Sequence, residues 1–252
     1  MKSLAIIGGS GMLGSDLVRY LGKKFDVLSI DRNNYHSHEG KFFDVLINAN
    51  GNSRRFWANQ NPVDDFLAST LSVYKSIFDF SSDFYVYISS PDVYEKHSSP
   101  RYTMEERKIN SGNLEPYGFN KYLSELIVKK YKKKYLILRC SMILGKKIKK
   151  GPIYDIINNK PLFINLDSKL QLVTSQAIAD IIEKVLEKSI VGETINVGGR
   201  GSFSFKKIKK YIDREIEISR DSKTQIYEMN IEKLKGFYKK LKTSEEYLKD
   251  FF

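Results

Sequence analysis

Residues Ser3 to Gly14 (Ser-Leu-Ala-Ile-Ile-Gly-Gly-Ser-Gly-Met-Leu-Gly) constrain this chain more than any other stretch. Leu4 to Ile7 is a short apolar run with β-branched residues, the pattern of a strand buried on both faces. It runs into Gly8, Gly11 and Gly14, while Leu13, Leu17, Val18 and Leu21 recur at helical spacing. A strand that turns on glycine straight into a helix makes an anion site. Backbone N–H groups and the positive end of the helix dipole point at the same spot. Glycine at the turn lets the main chain approach a pyrophosphate, and glycine further on lets helix and strand pack closely. The spacing is Gly-x-x-Gly-x-x-Gly, and an ordinary tight turn produces the same letters. The flanking strand and helix favour a dinucleotide site over Gly8, Gly11, Met12, Leu13 and Gly14.

Asp26-Val-Leu-Ser-Ile-Asp reads as a second strand ending at Asp31, 17 residues beyond Gly14. A carboxylate there is placed to accept from both hydroxyls of an adenosine ribose, which favours NAD. Arg32 follows and can instead hold a 2′-phosphate, so NADP stays open; the alternative for Asp31 is a loop-starting cap. Only Arg32 to Phe43 separate Asp31 from the next strand, Asp44-Val-Leu-Ile-Asn-Ala, too few for a full strand and crossover helix. The small residues at Asn50 and Gly51 suit a close backbone approach to the cofactor, and Arg54 and Arg55 follow on the same loop, meeting a substrate phosphate or only solvent. Pro62 to Phe80 has helical spacing. Phe84 to Ile88 is another strand, delivering Ser89, Ser90, Pro91, Asp92 and Tyr94 at the sheet edge where open α/β folds bind ligands. A loop to Glu115 then leads to a helix opening at Pro116, with Tyr117 and Lys121 on one face.

The glycine turn, Ser89-Ser90 at a strand end and Tyr117-x-x-x-Lys121 occur in the order found in short-chain dehydrogenases. Ile88-Ser-Ser-Pro-Asp-Val-Tyr, Pro116-Tyr-Gly-Phe-Asn-Lys and Gly192-Glu-Thr-Ile-Asn-Val-Gly-Gly resemble the signatures of the extended branch, the NAD-dependent epimerase/dehydratase family. Arg139-Cys-Ser-Met-Ile-Leu-Gly is similar to its deoxysugar-reductase branch. Two positions depart from the UDP-sugar members: Met142 stands where an Asn is usual, and Leu170, beside Lys169, where an Arg grips the nucleotide. The expected fold class is α/β, a Rossmann-type doubly wound parallel sheet with an abbreviated third βα unit and a small C-terminal substrate lobe. Its expected division is 1–145 for the NAD(P)-binding domain and 146–252 for the lobe, interleaved because a strand and helix at about 175–200 return to the first domain. Beyond residue 150, 151–159, 175–188, 203–212 and 245–252 read as helices, and 162–164, 170–173 and 192–197 as strands.

The resemblance implies roles. Tyr117 is the acid/base during hydride transfer, Ser90 positions the reacting oxygen, and Lys121 lowers the phenol's pKa and holds the nicotinamide ribose. Asp92 is either an acid/base at the carbon beside a keto group or a loop cap. The implied activity is an NAD(P)-dependent reductase, epimerase or dehydratase acting on a nucleotide-sugar. The competing reading is a catalytically silent dinucleotide-binding regulator of the same fold. The resemblance further implies a homodimer built on the helices of Pro62–Phe80 and Tyr117–Tyr131.

The formal charge of +12 comes largely from lysines spread along helices, without a zinc-finger or RNA-binding aromatic pattern. It is read as a solvated surface attractive to anionic small molecules, with no nucleic-acid partner. No stretch approaches the ~20 apolar residues of a membrane span, and the early core strand argues against a cleaved signal. The single cysteine, Cys140, ends an apolar strand and fits a reducing, cytoplasmic compartment. No metal site is expected.

Overall fold

The computed structural model describes residues 1–212 and 215–252. Strands β1 (Ser3–Ile7), β2 (Asp26–Ile30), β3 (Phe42–Asn48), β4 (Ser81–Ser89), β5 (Tyr135–Cys140) and, after the short strands β6 (Met142–Leu144), β7 (Leu162–Ile164), β8 (Lys169–Leu170) and β9 (Leu172–Thr174), β10 (Glu193–Val197) are the main framework. Six of them form one parallel sheet in the order β10-β5-β4-β3-β1-β2. This is the doubly wound Rossmann-type α/β fold.

Alternation along each strand builds two cores. Leu4, Ile6, Val86 and Leu138 face α1 (Met12–Leu21) and, much later in the chain, the helix Ser175–Glu187. Ala5, Ile7, Tyr85 and Ile137 face the other way, onto Val73, Ile77 and Val128 of the helices that follow β3 and β4. A strand buried on both sides must be apolar at every position, which is why these segments read as continuous runs.

The connection from β2 to β3 holds one short 3-10 turn, His36–His38, and no crossover helix. Tyr35 takes over part of that helix's task. Its ring meets Phe80 edge-on at 5.0 Å, packed against the second core, and its hydroxyl donates to Asp79 Oδ2 at 2.8 Å. Burial, then Asp79, pushes the Tyr35 phenol up, so it stays a donor.

Between β3 and β4, two segments differ from the sequence reading. Arg55 is not on a loop but begins α2 (Arg55–Gln60). The helix expected over 62–80 is broken into α3 (Pro62–Phe66), a π turn at Leu67–Leu71 and α4 (Ser72–Asp79). Inside that wide turn Thr70 Oγ1 donates to the Asn120 carbonyl (3.0 Å), while Ser69 Oγ donates to Asp65 (3.3 Å) and accepts from Asn52 N (3.2 Å). These bonds tie the turn to the next helix, α5 (Pro116–Tyr131), and to the loop after β3.

The remaining chain supplies α6 (Pro152–Ile157), α7 (Ser175–Glu187), β11 (Phe203–Ser204), β12 (Ile218–Lys223), β13 (Ile226–Tyr227), α8 (Glu232–Phe237) and α9 (Ser244–Phe251). Where the sequence predicts a helix over 203–212, β11 pairs antiparallel with β8 and a 3-10 segment covers Phe205–Lys210. Phe203 and Phe205 are both buried, and a two-residue period fits a strand entry better than an α-helix. Residues 213 and 214 lie outside the described residues.

Candidate functional site

The glycine turn is shaped by close backbone contacts. Gly8 N donates to Ile30 O (2.8 Å) and Gly11 N to Gly8 O (2.9 Å). Gly8 sits at φ +79°, and a Cβ there would lie 2.9 Å from Asn50 Cα. A Cβ on Gly14 would lie 2.0 Å from the Gly8 carbonyl oxygen. Both positions therefore exclude side chains, leaving bare main chain at the mouth of α1. Gly11 is the N-cap, with no capping side chain and no acidic residue in the first turn, so no carboxylate competes for an anion there. Leu13 is buried in the core and Met12 packs over Gly145, so these two residues offer only backbone.

At the end of β2, Asp31 accepts from Asn33 N through Oδ1 (2.9 Å), and its own N–H donates to Asn34 Oδ1 (2.8 Å). It caps its own turn through that one carboxylate oxygen. Arg32, Asn50, Gly51, Arg54 and Trp57 line a cleft of about 540 Å³ beside it. The glycine cradle and the strand-end carboxylate fit a dinucleotide, and the cleft extends that fit outward.

Tyr117 and Lys121 are both buried on one face of α5. Gly118 explains how they reach the end of β4: a Cβ at that position would lie 2.1 Å from the Asp92 carbonyl oxygen. That glycine seats the first turn of α5 directly on Ser90–Val93. Lys121 Nζ donates to the Ile88 carbonyl (3.2 Å) and lies 5.2 Å from the centre of the Tyr87 ring. It also ends 3.4 Å from where a Cβ on Gly51 would stand, so the ammonium reaches across to the loop after β3. Burial pulls Lys121 down to about 8, against the pull of Asp65. Burial first, then the nearby Asp92, pushes the Tyr117 phenol up, with the Ser90 hydroxyl opposing.

Asp92 is the meeting point of distant segments. It accepts from Ser90 Oγ at 2.8 Å, from Arg55 Nη1 at 3.1 Å and from the Tyr227 hydroxyl at 2.9 Å. His97 stacks on Tyr227 with ring centres 3.8 Å apart. Of the two adjacent arginines, Arg55 thus reaches Asp92 while Arg54 faces the cleft. Tyr227 escaped sequence reading because it is 135 residues away, on a two-residue strand with no motif.

This arrangement coincides with a family pattern: the sequence profile described as the NAD dependent epimerase/dehydratase family matches residues 4–198. The chain belongs to that family. No curated protein sequence matches it. Solved structures of similar fold include dTDP-4-dehydrorhamnose reductase from Bacillus anthracis in complex with NADP. It has 20% identity and TM-score 0.79, covering 100% of this chain and 98% of that one. UDP-galactose 4-epimerase superposes at TM-score 0.79 with 18% identity, covering 98% and 97%. A UDP-glucuronic acid 4-epimerase variant from Bacillus cereus, solved with a fluorinated UDP-sugar and NAD, gives 0.77 with 17% identity, covering 99% of both.

In this member of the epimerase/dehydratase family, α5 is anchored by a buried ion pair. Glu125, two turns beyond Tyr117, accepts from Arg139 Nε (2.9 Å) and Nη2 (2.6 Å) and from Ser89 Oγ (2.6 Å). Both charged side chains are at most 1% exposed. Arg139 Nη1 donates onward to the Tyr94 hydroxyl (2.7 Å), which donates to Asn196 Oδ1 on β10 (2.9 Å). Of the two departures noted in the sequence, Leu170 is buried in a further apolar cluster with Ile153, Phe203 and Phe205, and Met142 packs against it.

Proposed function

We propose that this chain is an NAD(P)-dependent oxidoreductase or epimerase acting on a nucleotide-sugar, with Tyr117 as acid/base. One observation carries the reading: Tyr117 and Lys121 are buried together beside Ser90, on the same sheet edge as the bare glycine turn. The solved relatives add support, since their names are those of sugar-nucleotide reductases and epimerases.

In this proposal the backbone of Gly8, Gly11, Met12, Leu13 and Gly14 holds a pyrophosphate, Asp31 the adenosine ribose, and Asn50 and Gly51 the approach of the loop. Arg32 stands ready for a 2′-phosphate, but Asp31 favours NAD. The bound dinucleotide supplies or accepts hydride. Tyr117 passes a proton to or from the substrate oxygen, and Ser90 holds that oxygen after turning its hydroxyl away from Asp92. Lys121 holds the nicotinamide ribose and, by its charge, favours the phenolate that burial disfavours. Asp92 acts at the carbon beside the keto group once substrate displaces Arg55 or Tyr227 from it. Residues 146–252 serve as the substrate lobe, apart from the strand and helix at about 175–200 that return to the cofactor domain.

Tyr117→Phe tests the proposal. It removes one hydroxyl and little volume, so folding and cofactor affinity stay unchanged while turnover falls by ~10²–10⁴. Lys121→Met loses turnover and cofactor affinity together. A Tyr117→Phe protein with full turnover on a verified nucleotide-sugar would end the mechanism and leave the cofactor site standing.

A further inference from the structure

The segment after β6 carries four lysines in five residues, Lys146, Lys147, Lys149 and Lys150. Its start is pinned: Lys146 N donates to the buried Asp16 (2.9 Å), and Ile148 N to Gly145 O (3.0 Å). Lys146, Lys147 and Lys149 are exposed. Lys150 turns inward instead. Its ammonium nitrogen is shut off from water and has no hydrogen-bond partner among the described residues.

A dehydrated ammonium is costly unless an anion meets it. The charges that bear on Lys150 are Arg54 and Lys121, both of its own sign. Three cations from three separate segments therefore converge. Arg54 comes from the loop after β3 and lines the cleft with Gly51, and Lys121 from α5, its nitrogen behind Gly51. Asp64 stands on the same cleft wall. Burial, then Arg54 and Lys121, pulls the Lys150 ammonium down to about 8. Asp65 answers the charge of Lys121, but no carboxylate answers that of Lys150, which is repelled until a negative group meets it.

We infer that Lys150, together with Arg54, seats a phosphate-class oxyanion beside Lys121. The seat itself follows from the cluster alone. Only the anion's source rests on the proposed function, which offers two: the pyrophosphate of the dinucleotide and the diphosphate of a nucleotide-sugar.

Inorganic pyrophosphate tests the seat without cofactor or turnover, so the result stands apart from the Tyr117 experiment. Its affinity for the whole protein is measured by titration calorimetry at fixed ionic strength. Lys150→Met is expected to weaken binding by roughly ten-fold or more, the scale of one lost charge-assisted hydrogen bond. Without ligand the same variant is expected to melt at or above the wild-type temperature, because a dehydrated charge has gone. Arg54→Met, at an exposed position, is expected to give a similar loss of affinity and guards against a folding defect at Lys150. Lys149→Met removes the same charge from the exposed neighbour and is expected to change affinity little. Unchanged binding in Lys150→Met and Arg54→Met, or an equal loss in Lys149→Met, overturns the inference in favour of a diffuse surface field. Repeating the titration with NAD saturating distinguishes the sources. Retained pyrophosphate binding supports a seat for the substrate, and exclusion supports a seat for the dinucleotide.

Discussion

Replacing Glu125 by Gln keeps the shape of the side chain and removes its charge. In the wild type that carboxylate takes three short hydrogen bonds, two from Arg139 and one from Ser89. The amide of Gln offers one oxygen in their place and turns an NH₂ toward donors. Arg139 is then left charged and buried without a counter-charge, sharing that one oxygen with Ser89 and keeping the Tyr94 hydroxyl. Breaking a buried pair from one side costs about 3–5 kcal/mol, and for a chain of this size that lowers Tm by roughly 6–20 °C. Urea unfolding followed by circular dichroism gives the number directly. Glu125→Leu/Arg139→Met is the informative companion, since it removes both charges. Its loss should be smaller than the sum of its two single changes, a coupling of the kind neighbours show. Turnover should fall further than stability in Glu125→Gln, because α5 also carries Tyr117. A Glu125→Gln protein within ~1 kcal/mol of wild type, or strict additivity in the double variant, would refute the claim that this pair fixes the helix.

The depressed pKa of Lys121 has a pH signature. Folded, the group releases its proton at about 8, and unfolded near its ordinary 10.5. Between these values the unfolded chain binds more protons, so stability rises with pH there. The burial penalty is fully felt below about 8 and relieved above 10.5; Lys121→Met should lack that rise in matched urea titrations, and parallel curves would count against it. NAD should bind more tightly than NADP because Asp31 ends β2, and calorimetry showing the reverse would hand the site to Arg32. We also propose a homodimer across α3–α4 and α5, where Phe66, Tyr74, Phe78, Phe119, Leu126 and Tyr131 are exposed on the surface. Light scattering at micromolar concentration should give twice the chain mass, and a monomer would remove the idea.

What local pattern could reveal, it did. The run into Gly8, the strand ending at Ser89 and the Tyr117–Lys121 spacing are each written within a short stretch of chain, where period and turn chemistry operate. Gly118 was equally visible, but its reason was not: it is small because Asp92 sits against it, and that is a tertiary fact. Arg55 and Tyr227 converge on Asp92 from opposite ends of the chain, and no periodicity links them. Lys150 looks like its exposed neighbours in sequence and differs only in where its nitrogen lies. The π turn at Leu67–Leu71 leaves the apolar spacing of a helix almost intact, so it reads as continuous.

The placement of β10 has a consequence for how the chain is made. Synthesis runs from the N-terminus, and β5 is complete by residue 140, whereas its partner begins at Glu193. For that interval, Leu136, Ile137 and Leu138 belong to an apolar strand with one side unpaired, the kind of edge that recruits strands from other nascent chains. Arg139 waits in the same interval, since the Tyr94 hydroxyl it donates to is itself held by Asn196 on β10. The proposed catalytic helix is therefore translated early and locked late. A ribosome pausing between these two strands exposes the hazard longest, and a chaperone that shields β5 would act at the moment of greatest need.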